Sequence, residues 1–150
     1  HDVVVVVLDN RITAMTGGQP HPGIGETLSG TPAPALSIPG ILRAMGVSVR
    51  TADPLDLSAA KRAVLEAAAG TGVRAVVFEH PCVNIARSGK SCAVDAEKCA
   101  GCGVCVRELG CPALSLRGGT AEIDASLCSG CGLCGQVCAF GALGVHGGTV

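Results

Sequence analysis

Aromatic residues are almost absent from this sequence, which has two phenylalanines, no tryptophan and no tyrosine among its 150 residues. Any core must be built from Val, Leu, Ile and Ala, and a hydrophobic share of 48% supplies ample material. Charge of one sign is lacking too. The formal net charge is −1, so there is no basic footprint of the kind nucleic-acid binding requires. Long apolar runs are also missing: Val3–Leu8 is the longest, far short of the ~20 residues that cross a bilayer. No basic segment precedes an apolar one, so no signal peptide is legible. The expectation is a chain with no nucleic-acid and no membrane partner. Its length suits one ordinary domain or two small ones.

Cysteine, by contrast, is plentiful. Of ten cysteines, eight fall between Cys99 and Cys138 at metal-ligand spacing, which argues against a secreted disulfide scaffold and for a reducing cytoplasm. The start of the chain is unusual as well. His1 is not an initiator, and Val3–Leu8 reads at once as a fully buried strand, which belongs in the middle of a parallel sheet. This sequence is therefore expected to be the C-terminal piece of a longer protein.

Two regions differ in character. Residues 1–81 read as α/β, with strands Val3–Leu8, Val47–Thr51 and Val73–Glu79, the last closed by Pro81. A short helix is expected over Ser37–Met45, ended by Gly46, and a longer one from a Ser58 cap through Ala69. Strands alternating with helices imply a parallel sheet covered on both faces. Residues 82–91 read as a linker. Residues 92–150 read as a small α+β domain built on an internal repeat with an offset of 29 residues. The segment Val94–Cys105 returns as Ile123–Cys134, Ala113-Leu114 as Ala142-Leu143, and Gly118-Gly119-Thr120 as Gly147-Gly148-Thr149. Each copy is expected to hold a strand, a loop, a short helix and a return strand.

The repeat carries the metal chemistry. Its motifs are Cys99-x2-Cys102-x2-Cys105-x5-Cys111-Pro112 and Cys128-x2-Cys131-x2-Cys134-x3-Cys138-Ala139. Three thiolates two residues apart wrap one face of a cubane and leave one iron for a cysteine from elsewhere. In two-cluster ferredoxins that cysteine belongs to the other motif. Cys99, Cys102, Cys105 and Cys138 are thus assigned to one [4Fe-4S] cluster, and Cys128, Cys131, Cys134 and Cys111 to a second. Gly101, Gly103, Gly130 and Gly132 let backbone N–H groups approach the sulfurs. Zinc ribbons use pairs of Cys-x2-Cys, not triplets followed by a fourth cysteine. The spacer of five before Cys111 is longer than the usual three, and Ala139 stands where proline is usual. Cys82 and Cys92 are left over and read as packing residues.

The other informative stretch runs from Asp9 to Gly23, a loop leaving the C-terminal end of a parallel strand, where α/β sheets bind ligands. Asn10 offers a neutral amide oxygen, and Gly17-Gly18 lets backbone approach an anion. Residue types alone leave a phosphate or Mg²⁺ site and an ordinary surface loop both open. His21, flanked by Pro20 and Pro22, is either an acid–base group or a shaper of the loop.

The run Asp9-Asn10-x5-Thr16-Gly17-Gly18-Gln19-Pro20-His21-Pro22-Gly23, followed by the two-cluster segment, resembles the indolepyruvate ferredoxin oxidoreductase alpha-subunit family, within the 2-oxoacid:ferredoxin oxidoreductases. The resemblance covers essentially the whole chain, as the C-terminal part of that subunit. It implies thiamine diphosphate held through Mg²⁺, with Asn10 giving its side-chain oxygen, Ile12 its backbone carbonyl, and Thr16, Gly17 and Gly18 at the diphosphate. It also implies oxidative decarboxylation of an arylpyruvate to an acyl-CoA, with coenzyme A collecting the acyl group. Electrons would leave singly through the two clusters to ferredoxin, and a smaller beta subunit would complete the assembly. The family's Gly-Asp-Gly element does not occur in these residues, and its catalytic glutamate normally lies in a different domain, so no catalytic residue is assigned here. Two other readings stand beside this one. They are action on another 2-oxoacid, and a plain electron-carrier module with an α/β scaffold.

Overall fold

A computed structural model describes every residue except Ala14, Thr16, Asn84, Arg87, Ser88 and 146–150. The chain divides into two compact units, His1–Cys82 and Val83–Val150, each with its own core.

The first unit is a three-stranded parallel sheet. Its strands are β1 (Val3–Asp9), β2 (Ser48–Ala52) and β3 (Val73–Glu79), in the order β1-β3-β2. The helices are α1 (Ile38–Ala44) and α2 (Leu57–Ala69). Ser37 caps α1 by accepting the Gly40 N–H at 3.0 Å. The cap of α2 is Asp56, not Ser58: its carboxylate accepts the Ala59 N–H at 2.9 Å, and the helix starts at Leu57. A carboxylate at this position also meets the positive end of the helix dipole, which a serine cannot do as well. Ala63 and Ala67, one turn apart, present small side chains that let α2 approach Val76 closely, with Val4, Ala52 and Phe78 around them.

The buried central strand is β3, where Ala75, Val76 and Val77 are at most 1% exposed. The second neighbour expected beside Val3–Leu8 is not among the described residues. Among the described residues β1 pairs only with β3, and Val3, Val5, Val6 and Leu8 are exposed. A β-rich apolar composition marks a strand, but only its neighbours decide its burial.

The second unit turns the sequence repeat into an exchange of strands. Its elements are β4 (Cys92–Val94), α3 (Val104–Leu109), β5 (Leu114–Arg117), β6 (Thr120–Ile123), α4 (Leu133–Val137) and β7 (Leu143–Val145). The segment expected to be polar linker thus ends directly in a strand. β4, which leads the first copy, pairs antiparallel with β7, which ends the second; β6, which leads the second, pairs with β5, which ends the first. The six buried residues of this core fall into three repeat-related pairs: Cys92 with Ala121, Cys105 with Cys134, and Leu114 with Leu143. The hydrogen bonds repeat as well. Asp95 N–H reaches Ala142 O at 2.7 Å, and Asp124 N–H reaches Ala113 O at 2.8 Å. The repeat match at Gly147–Thr149 lies outside the described residues.

Val76 is completely buried, so Val76→Ala should destabilise the first unit by about 2 kcal/mol, the transfer of two methylene-sized groups plus part of a cavity. Leu65→Ala, on the exposed face of α2, should stay within about 0.5 kcal/mol. Denaturant unfolding followed by circular dichroism checks the pair, and equal losses would contradict this placement of the core.

Candidate cofactor sites

Two cysteine-lined cavities dominate the second unit. The first, of about 160 Å³, gathers Cys99, Cys102, Cys105 and Cys138. The second, of about 260 Å³, gathers Cys111, Cys128, Cys131 and Cys134, together with Cys92. Each triplet is therefore met by a cysteine of the other copy. The exchange of strands explains why, since each return strand lies against the opposite copy's lead strand and carries its preceding cysteine there. Cys111 follows a longer helix than Cys138 does. After α3 the chain turns through Gly110 in the left-handed region (φ 55°), which takes up the extra spacer.

None of the ten cysteines is joined in a disulfide. Among the described residues, no three His, Cys, Asp or Glu side chains converge to hold one metal ion. A mononuclear zinc site would need such convergence, with every sulfur ~2.3 Å from one centre. Each cavity is lined by at least four thiols, the number a cubane takes, one sulfur to each iron.

The backbone prepares these sites. Cys92 N–H donates to Cys128 Sγ at 3.3 Å, and its repeat counterpart Ala121 N–H donates to Cys99 Sγ at 3.4 Å. Amide donation from Ala121, and then Gly101, holds the Cys99 thiol below its ordinary range. Burial works the other way at the helix starts, raising Cys105 and pushing Cys134 up to about 12. Burial raises the Cys92 thiol too. Binding iron must displace protons from such thiols, and the free energy of ligation supplies the work. Gly101 and Gly103 are required by geometry. Both have left-handed φ (63° and 70°), and a Cβ on Gly101 would run into the Gly119 carbonyl oxygen.

In the first unit the candidate loop leaves β1 at the C-terminal edge of the sheet. The ladder continues past the strands, with His80 N–H on Asp9 O at 3.1 Å and Cys82 N–H on Asn10 O at 2.9 Å. Asn10 Oδ1 accepts the Ile12 N–H at 3.1 Å, which fixes the direction of the amide. An amide oxygen has two lone pairs, so one remains for a cation. Thr13 N–H binds Gln19 O at 2.9 Å, and Gly18 N–H binds Thr13 O at 3.2 Å, closing the loop on itself. The Gly18 amide is thus engaged within the loop, whereas Gly17 and Gly18 supply the left-handed φ (104° and 81°) that the turn needs. Thr16 lies outside the described residues. The donors fit part of a Mg²⁺ shell. Asn10 offers a side-chain oxygen and Ile12 a backbone carbonyl, and a carboxylate from elsewhere would complete the set.

Asp9 does not serve as that carboxylate. It is 6% exposed and turned inward, accepting the Arg11 N–H at 3.1 Å, with His21 Nε2 at 3.6 Å. His21 Nδ1 accepts the Gly23 N–H at 3.1 Å, so the proton of the neutral ring sits on Nε2, facing Asp9. Both ring nitrogens are used inside the loop, which favours the shaping role over acid–base work.

Sequence reasoning passed over Arg11. It has left-handed φ (61°), unusual for a residue with a side chain, and is held there by Gly23 O at 3.1 Å and Glu79 at 3.4 Å. A charged residue beside Asn10 was the available signal, but nothing in the spacing marks a backbone strain. His80 Nδ1, 3.1 Å from Asp53, adds another pair at the same sheet edge.

Comparison with known proteins agrees with this division. Residues 1–78 match the family model of the thiamine pyrophosphate enzyme C-terminal TPP binding domain, and residues 121–143 match that of the 4Fe-4S binding domain. The second match covers only the motif beginning at Cys128, so the first cavity rests on the repeat and its geometry. The chain is similar to indolepyruvate oxidoreductase subunit IorA of Methanothermobacter thermautotrophicus, 45% identical over 102 residues, covering 66% of this chain and 16% of that protein. It is 40% identical to the subunit of Pyrococcus horikoshii over 110 residues, 67% of this chain and 17% of that protein. With the subunit of Archaeoglobus fulgidus it shares 38% over 82 residues, 54% of this chain and 13% of that protein. The chain thus spans only 13 to 17% of the length of these relatives. No solved structure matches. Among the described residues no helix is long and apolar enough to cross a membrane.

Replacing Arg11 separates strain from attraction. Arg11→Gly loses the ion pairs but relaxes the backbone, so it should be about 1 kcal/mol more stable than Arg11→Ala, which loses the pairs and keeps the strain. Equal denaturation midpoints for the two variants would show that the left-handed turn is not under load.

Proposed function

Because the chain belongs to the thiamine pyrophosphate enzyme family through its C-terminal TPP binding domain, we propose that it forms the cofactor-to-cluster part of a 2-oxoacid:ferredoxin oxidoreductase acting on an arylpyruvate such as indolepyruvate. The observation that carries this reading is the coexistence, on one chain, of a cation-suited loop at a parallel-sheet edge and two cysteine-lined cavities. A plain electron carrier has no use for the former. The indolepyruvate preference follows the similar proteins, which are indolepyruvate oxidoreductase subunits.

When bound, thiamine diphosphate supplies an electron sink for decarboxylation and the clusters supply one-electron storage. This chain's residues hold and orient those groups. Asn10 Oδ1 and the Ile12 carbonyl are the Mg²⁺ ligands it would give, Gly17 and Gly18 form the turn near the diphosphate, and Thr16 is a further proposed diphosphate-binding residue. Asp9, Arg11 and His21 keep that loop in shape through their mutual contacts. Cys99, Cys102, Cys105 and Cys138 hold one cluster, and Cys111, Cys128, Cys131 and Cys134 the other. The amides of Ala121 and Cys92 donate to a ligand sulfur in each. The Mg²⁺ carboxylate, the catalytic base and the substrate pocket come from outside these residues. The proposed partners are a beta subunit, coenzyme A and ferredoxin.

The test uses the full-length protein with its partner subunit, purified anaerobically. Coenzyme A-dependent viologen reduction should be fastest with indolepyruvate and weak with pyruvate or 2-oxoglutarate. Activity only with another oxoacid would keep the mechanism and retire the substrate, and silence with all three would favour a carrier. Asn10→Ala should abolish Mg²⁺-dependent thiamine diphosphate binding while leaving about eight irons per protein, the content of two cubanes. Gly101→Ala should cut the iron to about four, because only the first cluster's loop is blocked.

A further inference from the structure

The two cavities differ in one respect that the ligand assignment does not use. The first is lined by four cysteines and the second by five. The additional residue is Cys92, which is 5% exposed and belongs to neither motif. Its position is fixed from both sides. In β4 it pairs with Val145, and its N–H reaches Cys128 Sγ at 3.3 Å.

The internal repeat supplies a control within the same molecule. Cys92 corresponds to Ala121, which is 3% exposed and gives its own N–H to Cys99 Sγ at 3.4 Å. Backbone donation to the two sites is therefore matched in geometry. At these paired positions the difference is a thiol on one side and a methyl on the other. The thiol lines the second cavity together with Cys128 and Cys134.

We propose that Cys92 is a positioning residue of the second cluster, a thiol that binds no iron but donates its S–H to the ligand sulfurs, raising that cluster's reduction potential relative to an alanine there. This rests on the reading of Cys111, Cys128, Cys131 and Cys134 as the four ligands. Four irons need four cysteines, and the triplet plus Cys111 already supplies them, as the triplet plus Cys138 does in the other cavity. A fifth thiol then has only its proton to offer. An S–H is a weak donor, but its positive end faces sulfurs that carry more negative charge in the reduced state, so it favours reduction. The device makes two clusters with similar backbone surroundings unequal in potential, which gives one-electron transfer between them a direction.

The experiment compares full-length wild type, Cys92→Ala and Cys92→Ser, all prepared anaerobically, by iron content and by redox titration monitored by electron paramagnetic resonance. All three should hold about eight irons. In Cys92→Ala one midpoint potential should fall while the other stays put, and Cys92→Ser, whose hydroxyl still donates, should recover most of the shift. Full iron with unmoved midpoints in both variants overturns the inference alone. Loss of about four irons in Cys92→Ala also overturns it, by making Cys92 a ligand. A wild type with only about four irons overturns the two-cluster reading and this inference with it.

Discussion

The second unit depends on one constraint: each cysteine triplet lines its cavity together with a cysteine of the other copy of the repeat. Neither copy can close its cavity alone. The pairing of β4 with β7 and of β6 with β5 follows from this, because those pairings bring Cys138 to the first triplet and Cys111 to the second. The core has little else to hold it. Three of its six buried residues are cysteines, and the others are leucine and alanine. A domain of this size buries too little apolar surface to be robust without a metal or other staple. With the proposed clusters bound, cluster and fold would be parts of one equilibrium.

The first unit solves a different problem, holding an irregular loop at the edge of a sheet without covering it. Hydrogen bonds from His80 and Cys82 carry the ladder one step beyond β1 and β3, so Asn10 leaves the sheet with its backbone held. Two short side-chain turns follow, Asp9 onto the Arg11 N–H and Asn10 onto the Ile12 N–H. They force Arg11 into left-handed backbone, and its guanidinium is then drawn to Gly23 and Glu79. Strain of this kind persists where the surroundings over-determine it, and such places cluster at ligand sites.

Much of this was legible in the residues. The three parallel strands, both helices of the first unit and the repeat in the second follow from patterns of period, cap and spacing. The errors have local causes. Asp56 and Ser58 are both good caps, and only the backbone shows which carbonyl begins the helix. The central-strand composition of β1 is not an error of this kind, since these residues supply only one of its two neighbours. Arg11 escaped notice because no spacing marks its backbone, and Cys92 was read as a packing residue because it belongs to neither motif.

What the sequence by itself determined are the properties that travel along the chain: the cysteine spacings, the 29-residue repeat, the glycines at turns and the Asp9-Asn10 step after a strand. Spacing sets which atoms a short loop can gather, since a few residues have a limited reach. Only the tertiary structure decided which distant groups meet. It brought Cys92 into the second cavity and turned Asp9 inward to His21. Such contacts depend on strand order and on how two copies of a repeat exchange partners, and packing fixes these across separations that no local pattern spans.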